Sequence, residues 1–581
     1  MPKRSNGPIV PVATGGAVSQ KKRKMKRKAA FGTMDGIDGH DDADDAPSAM
    51  EPTKPGGGGS GRHGNDDATE RDDAMGSDDE QPAAVSMSVL RLDDAEGGWD
   101  GERRGLEIVA EPDRSDKASK FLRWLLHPLE PEEFVGTHFG KRPVVISRAA
   151  HGRDYYKGVF SLGEMERQLA TCKLRWTDDV DAARYQGGAR TTHNGEGVAN
   201  AKDAWAKFAE GCSLRLSWPQ RHSDALWGVL AQLEEFFGSA SGVNAYATPA
   251  GAQGFAPHYD DIDAFVLQLE GEKRWRLYAP SSAEELLPRF SSPNLPEAEL
   301  GELLADFTLR PGDLLYMPRG VVHQAVVSDA QGGHSLHVTA SVGRQHAWRD
   351  LLEVGLLGAL ETAAQKYPEW RENLPVDLGD HLGVVHAEEE EDDDDDDEDG
   401  DDDDEWDGDE EGTSAKARRA AMGVRVRAML HQLCEELPLD AMVDQFLCKG
   451  FLFDRMPPKL SSHDRARVPK RPEDVALDAS IRLTSRNVCR LVIEEGVAAL
   501  YTSSQNARRF RGHEEPQHID FALEAAPALE AIIKAYPKYT TVRRLPADSD
   551  DQRLDIARAL AEAQLLLLKP TKAAGGAAAA K

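Results

Sequence analysis

The sequence predicts an α+β protein in which a barrel or sandwich of short strands is followed by a helical region and a small winged-helix module. Three observations predict it. From about residue 210 to 345, short β-type segments alternate between Gly and Pro turns. After about 346 the apolar spacing lengthens to three and four residues: WRDLLEVGLLGALETAA places Trp348, Leu351, Leu352, Leu356 and Leu360 on one stripe. Between 458 and 568, helical spacing mixes with a hairpin-like alternation, RNVCRLVIEEGVAALYT.

The elements follow in order. Residues 1–115 are rich in Gly, Asp, Ala, Ser and Pro, include GGGGSG, and show no sustained period, which predicts a solvated tail. Within it, KKRKMKRK at 21–28 has the composition of a nuclear-import or nonspecific RNA-binding cluster, or of a plain charge run. Order is expected from about Lys117. There Phe121, Leu122, Trp124 and Leu125 supply a helix face, a second short helix follows, and Pro143-Val144-Val145-Ile146 reads as a strand. The strand-rich unit is assigned to 116–345, the helical region to 346–457, the winged-helix module to 458–570 and a low-complexity tail to 571–581. In the last module FALEAAPALEAIIKAYP and DQRLDIARALAEAQLLLL both read as helices.

The 581 residues carry a formal charge of -31 with 40% hydrophobic residues. Residues 388–411 alone hold 21 acidic side chains and no Lys or Arg, leaving -10 for the remainder. A run of like charges repels itself and stays in water, so it reads as a loop extruded between helices. A strongly basic nucleic-acid binder is disfavoured for the chain as a whole, although RARVPKR at 465–471 and Arg508-Arg509-Phe510-Arg511 leave local phosphate contacts open. No apolar run reaches the roughly 20 residues that cross a bilayer, and the N-terminus lacks a signal-peptide core. The expectation is a soluble intracellular protein without membrane partners. Cys172, Cys212, Cys434, Cys448 and Cys489 lack CxxC spacing, which predicts reduced thiols and neither a zinc site nor a disulfide framework.

The chemistry concentrates in two stretches, 244–280 and 310–327. In His258-Tyr259-Asp260, residues two apart on a strand face the same way, so an imidazole and a carboxylate can grip one metal ion. His323, just after the Pro318-Arg319-Gly320 turn, supplies a third ligand from another strand. Two His and one carboxylate leave three coordination positions open, the facial arrangement of non-haem Fe(II) oxygenases. HxD alone is too short a pattern to carry that assignment, and its context adds to it. Lys273 shares a strand face with Trp275 and Leu277, and an inward ammonium needs an anion such as a dicarboxylate cosubstrate, unless that face lies in water. In HSLHVTASV, Leu336, Val338, Ala340 and Val342 form one face and Ser335, His337, Thr339 and Ser341 the other, either an edge strand in water or a cavity wall. Asn244 and Tyr246 share a face from which both can donate to the same carboxylates.

HYDDIDAFVLQLEGEKRWRLY, GDLLYMPRGVVHQA and HSLHVTAS resemble the JmjC-type ribosomal oxygenases, and within them the nucleolar ribosomal oxygenase 1 group of protein histidyl hydroxylases, also described as histone lysine demethylases. The resemblance covers about 117–570, including PLEPEEFVGTHFGKRPVVISR, DVDAARYQGGARTTHN and CSLRLSWPQ. It implies a double-stranded β-helix of the JmjC or cupin-like kind, a helical dimerisation region and a C-terminal winged helix. It assigns Fe(II) to His258, Asp260 and His323. Lys273 then pairs with the distal carboxylate of 2-oxoglutarate, assisted by Asn244, Tyr246 and Ser341, with O2 as second cosubstrate. It implies a homodimer in the nucleus, more narrowly the nucleolus. The chain departs from the group in its long acidic insertion, which bears on the dimer geometry.

Three functions follow as expectations. The first is hydroxylation of a histidine β-carbon in a large-subunit ribosomal protein. The second is demethylation of N-methyl-lysine in histone tails, with Arg184, Tyr185, Arg190, Asn194 and Arg215 as candidate groove residues for either substrate. The third is a non-catalytic scaffold for chromatin or ribosome assembly.

Overall fold

The computed structural model describes residues 87–91, 105–112, 116–148, 154–282, 285–329, 333–386, 415–494, 496–509 and 515–570. The basic cluster at 21–28, the acidic run at 388–411 and the tail at 571–581 lie outside the described residues.

Structure begins earlier than the expected start near Lys117. β1 (Ser88–Arg91) pairs in parallel with Val144–Ser147, and α1 (Gly105–Ala110) buries Ile108 and Val109. A four-residue edge strand has too little sequence to show a period, and its partner strand decides it. The expected helix, helix and strand then appear as α2 (Lys117–Leu126), α3 (Pro131–Thr137) and β2 (Val144–Ser147). Next come α4 (Leu162–Thr171), the hairpin β3 (Val180–Gln186) and β4 (Ala189–Thr192), α5 (Ala201–Ala209), β5 (Ser213–Ser217) and α6 (Asp224–Phe237). The barrel strands follow as β6 (Gly242–Pro249), β7 (Asp263–Glu270), β8 (Lys273–Tyr278), β9 (Leu303–Leu309), β10 (Leu314–Met317), β11 (Val322–Val326) and β12 (His334–Val342).

These strands form a nine-stranded sheet in the order β1-β2-β10-β7-β12-β6-β5-β3-β4 and a three-stranded sheet in the order β11-β8-β9. Chain segments alternate between the two sheets, which is the double-stranded β-helix that the resemblance implies. β12 is an inner strand between β7 and β6, so the edge-strand alternative does not hold. Its apolar face packs outward with α2, α3 and α6 in the largest core cluster, through Leu336, Val338, Ala340, Val342, Phe121, Phe134 and Leu230. Its polar face is thereby turned into the barrel. A second core, with Val266, Trp275, Leu277, Leu315 and Met317, fills the space between the sheets.

The helical region holds α7 (Trp348–Lys366), α8 (Leu378–His381), α9 (Ala415–Glu435) and α10 (Leu439–Phe446). α7 buries Gly355, Ala359 and Ala363, not the predicted stripe. Small side chains let neighbouring helices approach closely: a Cβ on Gly355 would meet Met442 Sδ at 2.0 Å. Trp348, at 81% exposure, and Leu352, Leu356 and Leu360 are left outside.

The C-terminal module comprises α11 (Ser462–Arg465), β13 (Ser480–Leu483), β14 (Cys489–Glu494), β15 (Val497–Thr502), β16 (His518–Ala522), α12 (Ala526–Ala535), β17 (Thr540–Thr541), α13 (Asp550–Glu562) and β18 (Leu566–Leu568). The hairpin falls where alternation predicts it. The last predicted helix is shorter: α13 stops at Glu562, Gln564 takes a left-handed φ of 57°, and the leucines pair with β13 as a strand. Leu566 and Leu567 are buried, and a continuous apolar run does not by itself separate helix from strand.

Candidate metal centre and cosubstrate pocket

His258 and His323 face one another across an antiparallel bridge. The amide of His258 donates to the His323 carbonyl at 3.2 Å and that of His323 to the His258 carbonyl at 2.9 Å. Directly opposed residues send their side chains to the same face, so the imidazole centroids lie 4.5 Å apart. Asp260 lies past this bridge, outside any strand, so facing by strand alternation does not place it. Its carbonyl accepts from Gly320 at 3.0 Å. Gly320 has φ +90°, and an added Cβ would meet the Glu285 carbonyl at 2.2 Å, so the turn before β11 requires glycine. A strap from 291 to 295 completes the support. Ser292 receives the Tyr259 amide on its hydroxyl at 2.9 Å and returns its own amide to the Tyr259 carbonyl at 3.0 Å. The Ser291 hydroxyl donates to the Asp261 carboxylate at 2.9 Å. Nothing in the sequence marks these serines, which act from some 30 residues away.

The ligand atoms of His258, Asp260 and His323 all lie within 4.8 Å of one another. Asp260 reaches toward both imidazoles, 3.8 Å from His258 Nε2 and 3.9 Å from His323 Nε2. The Nδ1 atoms face the carbonyls of Ala256 at 2.8 Å and Val321 at 3.0 Å. A carbonyl only accepts, so each Nδ1 carries the proton and each Nε2 keeps its lone pair for a metal. Burial and the adjacent His258 imidazole push His323 below the usual histidine range, which favours the neutral ligand form. The donor set fits one divalent ion held from one side.

Lys273 opens β8 after a turn at Gly271, where φ is +61° and a Cβ would meet the His334 carbonyl at 1.8 Å. It is 5% exposed, and its ammonium donates to the Thr248 hydroxyl at 3.2 Å. No carboxylate among the described residues pairs with it, and burial pulls its pKa down to about 7. An inward ammonium left this way fits a dicarboxylate ligand.

Strand register orders the pocket wall. Thr248 faces Ser335, Tyr246 faces His337, Asn244 faces Thr339, and Gly242 faces Ser341. Asn244 and Tyr246 therefore lie on the predicted face. Ser341 lies six residues along β12 from the Thr248 rung that Lys273 touches, roughly 20 Å, and its hydroxyl donates to the Gly242 carbonyl. The structure does not bring it to Lys273, because two residues on one face are close only when few rungs separate them. Burial and the nearby Asp260 raise the Tyr246 phenol. Sequence reasoning missed Thr248 and gave His337 and Trp275 no role; the alternation of β12 was the available signal for His337.

The groove candidates divide. Arg184 donates to the Glu210 carbonyl, and Asn194 is held by Asp181 at 2.8 Å and by the Ala182 amide at 2.8 Å, so both serve packing. Arg215 pairs with Asp181 and stands in register beside Tyr246. Arg190 lies 5.0 Å over the Phe255 ring, whose edge meets Tyr246. Tyr185 keeps a buried hydroxyl without a partner. In the basic stretches of the last module several cations have partners within the chain, while Phe510 and Arg511 lie outside the described residues. Arg508 lies 3.6 Å over Trp227 and pairs with Asp224, Arg509 lies 4.5 Å over Trp218, and Arg471 pairs with Asp474.

Residues 215–351 match the family described as JmjC domain, and residues 459–571 the one described as Ribosomal oxygenase 1, C-terminal winged helix domain. Ribosomal oxygenase 1 of Gallus gallus is 37% identical over 487 residues, which cover 81% of this chain and 75% of that one. Ribosomal oxygenase 1 of Homo sapiens is 36% identical over 503 residues, covering 84% and 74%. The Dictyostelium discoideum protein named bifunctional lysine-specific demethylase and histidyl-hydroxylase NO66 is 37% identical over 470 residues, covering 80% and 85%. Identity at this level across most of both partners settles the lineage: the chain belongs to the ribosomal oxygenase 1 family, and its catalytic unit is a JmjC oxygenase domain.

Proposed function

We propose that the chain is an Fe(II)- and 2-oxoglutarate-dependent protein hydroxylase whose target is the β-carbon of a histidine in a large-subunit ribosomal protein. The observation that carries this reading is an open three-ligand cluster in the same barrel as an ammonium that no carboxylate among the described residues pairs with. When bound, ferrous iron lets O2 react with 2-oxoglutarate, so that one oxygen atom enters succinate as CO2 leaves and the other enters a C–H bond of the target. His258, Asp260 and His323 would hold the metal. Lys273, steadied by Thr248, binds the distal carboxylate. Tyr246 and Asn244, one and two rungs further along β6, orient the remainder. The helices packed on the large sheet close the barrel on that side to water.

The relatives' names support the choice of ribosomal substrate, and the same names support histone N-methyl-lysine as the second reading. Both substrates use the same centre, so the test is direct. The protein is incubated with Fe(II), 2-oxoglutarate and peptides of each class, and products are read by mass spectrometry. Oxygen gained on histidine is expected; methyl loss from lysine without it would transfer the assignment to histones. A scaffold role would require that Fe(II) and 2-oxoglutarate leave the melting temperature unchanged, whereas bound ligands raise it.

The exposed side of α7, with Trp348, Leu352, Leu356 and Leu360, supports a homodimer through the helical region. The cluster at 21–28 supports nuclear and nucleolar placement, and a fluorescent fusion lacking it should lose that placement. The acidic run supports capture of basic partners; deleting 388–411 should lower affinity for them and flatten its salt dependence.

A further inference from the structure

The barrel interior holds polar groups that the metal ligands and Lys273 leave unexplained. Register along β12 and β6 arranges them in rungs. Lys273 marks the first through Thr248, which faces Ser335 and also accepts from Ser213 at 3.1 Å. The next rung, Tyr246 with His337, lies about 7 Å further along the strand. His337 is 3% exposed. Its ring lies flat on Tyr246, with centroids 4.9 Å apart and planes at 10°, and stands against Trp275 at 5.4 Å and 76°. Trp275 in turn lies 5.9 Å from the His323 ring, so Trp275 links the His337 rung to the metal ligands.

His337 Nδ1 and Trp275 Nε1 are both buried without a hydrogen-bond partner. A buried ring nitrogen left unbonded is costly, and two of them beside an ammonium with no carboxylate partner are accounted for by a polar ligand between the sheets. Burial, Lys273 and His323 hold His337 neutral, so it offers a hydrogen bond without adding charge next to the metal ligands.

We propose that His337 Nδ1 is a positioning contact for the bound 2-oxo diacid, one rung from Lys273, and that the two together measure its length. The inference rests on the reading of this pocket as a 2-oxoglutarate site. A ligand anchored by its distal carboxylate on Lys273 has its 2-oxo end at the His337 rung when the chain between them is right, and overshoots when it is one methylene longer.

The test is calorimetric titration of the full chain loaded with Mn(II), using 2-oxoglutarate and 2-oxoadipate, on wild type, His337→Phe and His337→Asn. Phenylalanine keeps the stacking on Tyr246 and removes the nitrogens; asparagine returns a polar atom near the Nδ1 position. The expected result is a loss of about tenfold or more for 2-oxoglutarate in His337→Phe, with substantial recovery in His337→Asn. Mn(II) affinity should not change, and the preference for 2-oxoglutarate over 2-oxoadipate should narrow in His337→Phe. Wild-type affinity in His337→Phe, or equal losses in both variants, would overturn the proposal. A wild-type protein that binds no 2-oxoglutarate would instead overturn the reading of the pocket itself.

Discussion

At the scale of single residues, Lys273 has the most to test. Its ammonium is buried, with the Thr248 hydroxyl as its hydrogen-bond partner among the described residues, and burial lowers its pKa from the ordinary lysine value to about 7. Between about pH 7 and the unfolded value, the unfolded chain binds the proton and the folded chain does not, so this group's contribution to stability rises with pH across that window. Lys273→Met should therefore stabilise the ligand-free protein near neutral pH, on the order of 1–3 kcal/mol, while abolishing the thermal shift caused by 2-oxoglutarate. A drop in the melting temperature of the free protein would contradict this. The dianion needs the charged lysine, so binding above pH 7 must take up a proton. Affinity should fall as pH rises from 7 to 9, and the calorimetric heat at pH 8 should change with the ionisation enthalpy of the buffer. His258→Ala and Asp260→Ala should end turnover while leaving the circular dichroism of the fold intact.

At the scale of elements, the turn before β11 shows how local backbone demands reach the metal ligands. Gly320 combines a positive φ with a 2.2 Å approach to the Glu285 carbonyl, and its amide holds the Asp260 carbonyl. Gly320→Ala should cost roughly 1–3 kcal/mol and weaken Fe(II) or Mn(II) binding, since Asp260 is set by that hydrogen bond. Unaltered metal affinity in a folded variant would mean that the strap from Ser291 and Ser292 suffices. The helices teach a different lesson. The hydrophobic spacing of α7 was legible, yet the chain buries its small residues and leaves the large ones outside. Periodicity reports that a face is apolar, not which neighbour covers it. Leu356→Glu with Leu360→Glu should leave the folding stability within about 0.5 kcal/mol of wild type if these positions face only water. If they form the dimer contact, sedimentation should show a shift from dimer to monomer.

At the scale of the whole molecule, the winged helix is tied to the catalytic unit. Trp227 on α6 lies between the Lys459 ammonium at 4.5 Å and the Arg508 guanidinium at 3.6 Å, and its indole donates to the Pro457 carbonyl at 2.9 Å. Asp224 pairs with both cations. Below them the buried Arg455 joins Glu235 to the carbonyls of Arg486 and Asn487, and the Glu234 carboxyl, pushed up to about 8 by burial, accepts from the Met456 amide. Arg508, which reads as a phosphate contact in the sequence, is thus part of an internal joint. Trp227→Ala should cost roughly 3–5 kcal/mol and split a single calorimetric transition into two, as the module loses its seat. One unchanged transition would show that Arg455 alone holds the joint.

The sequence by itself determined the chemistry. His258 and Asp260 stood out by residue type and short spacing, His323 and Lys273 joined them through the motifs that resemble the JmjC oxygenases, and the strand and helix periods located most elements. The tertiary structure decided what depends on distant partners. It made β12 an inner strand with His337 in the barrel, separated Ser341 from Lys273 by three rungs, strapped the metal motif with Ser291 and Ser292, paired β1 with the sheet and packed α1 against α2 and α6. It also turned Arg508 from a surface cation into a packing group. The reason is physical: periodicity encodes which face of an element is apolar, whereas the identity of its neighbour, and hence whether a polar group meets water, a ligand or another chain segment, is fixed only when elements far apart in sequence pack together.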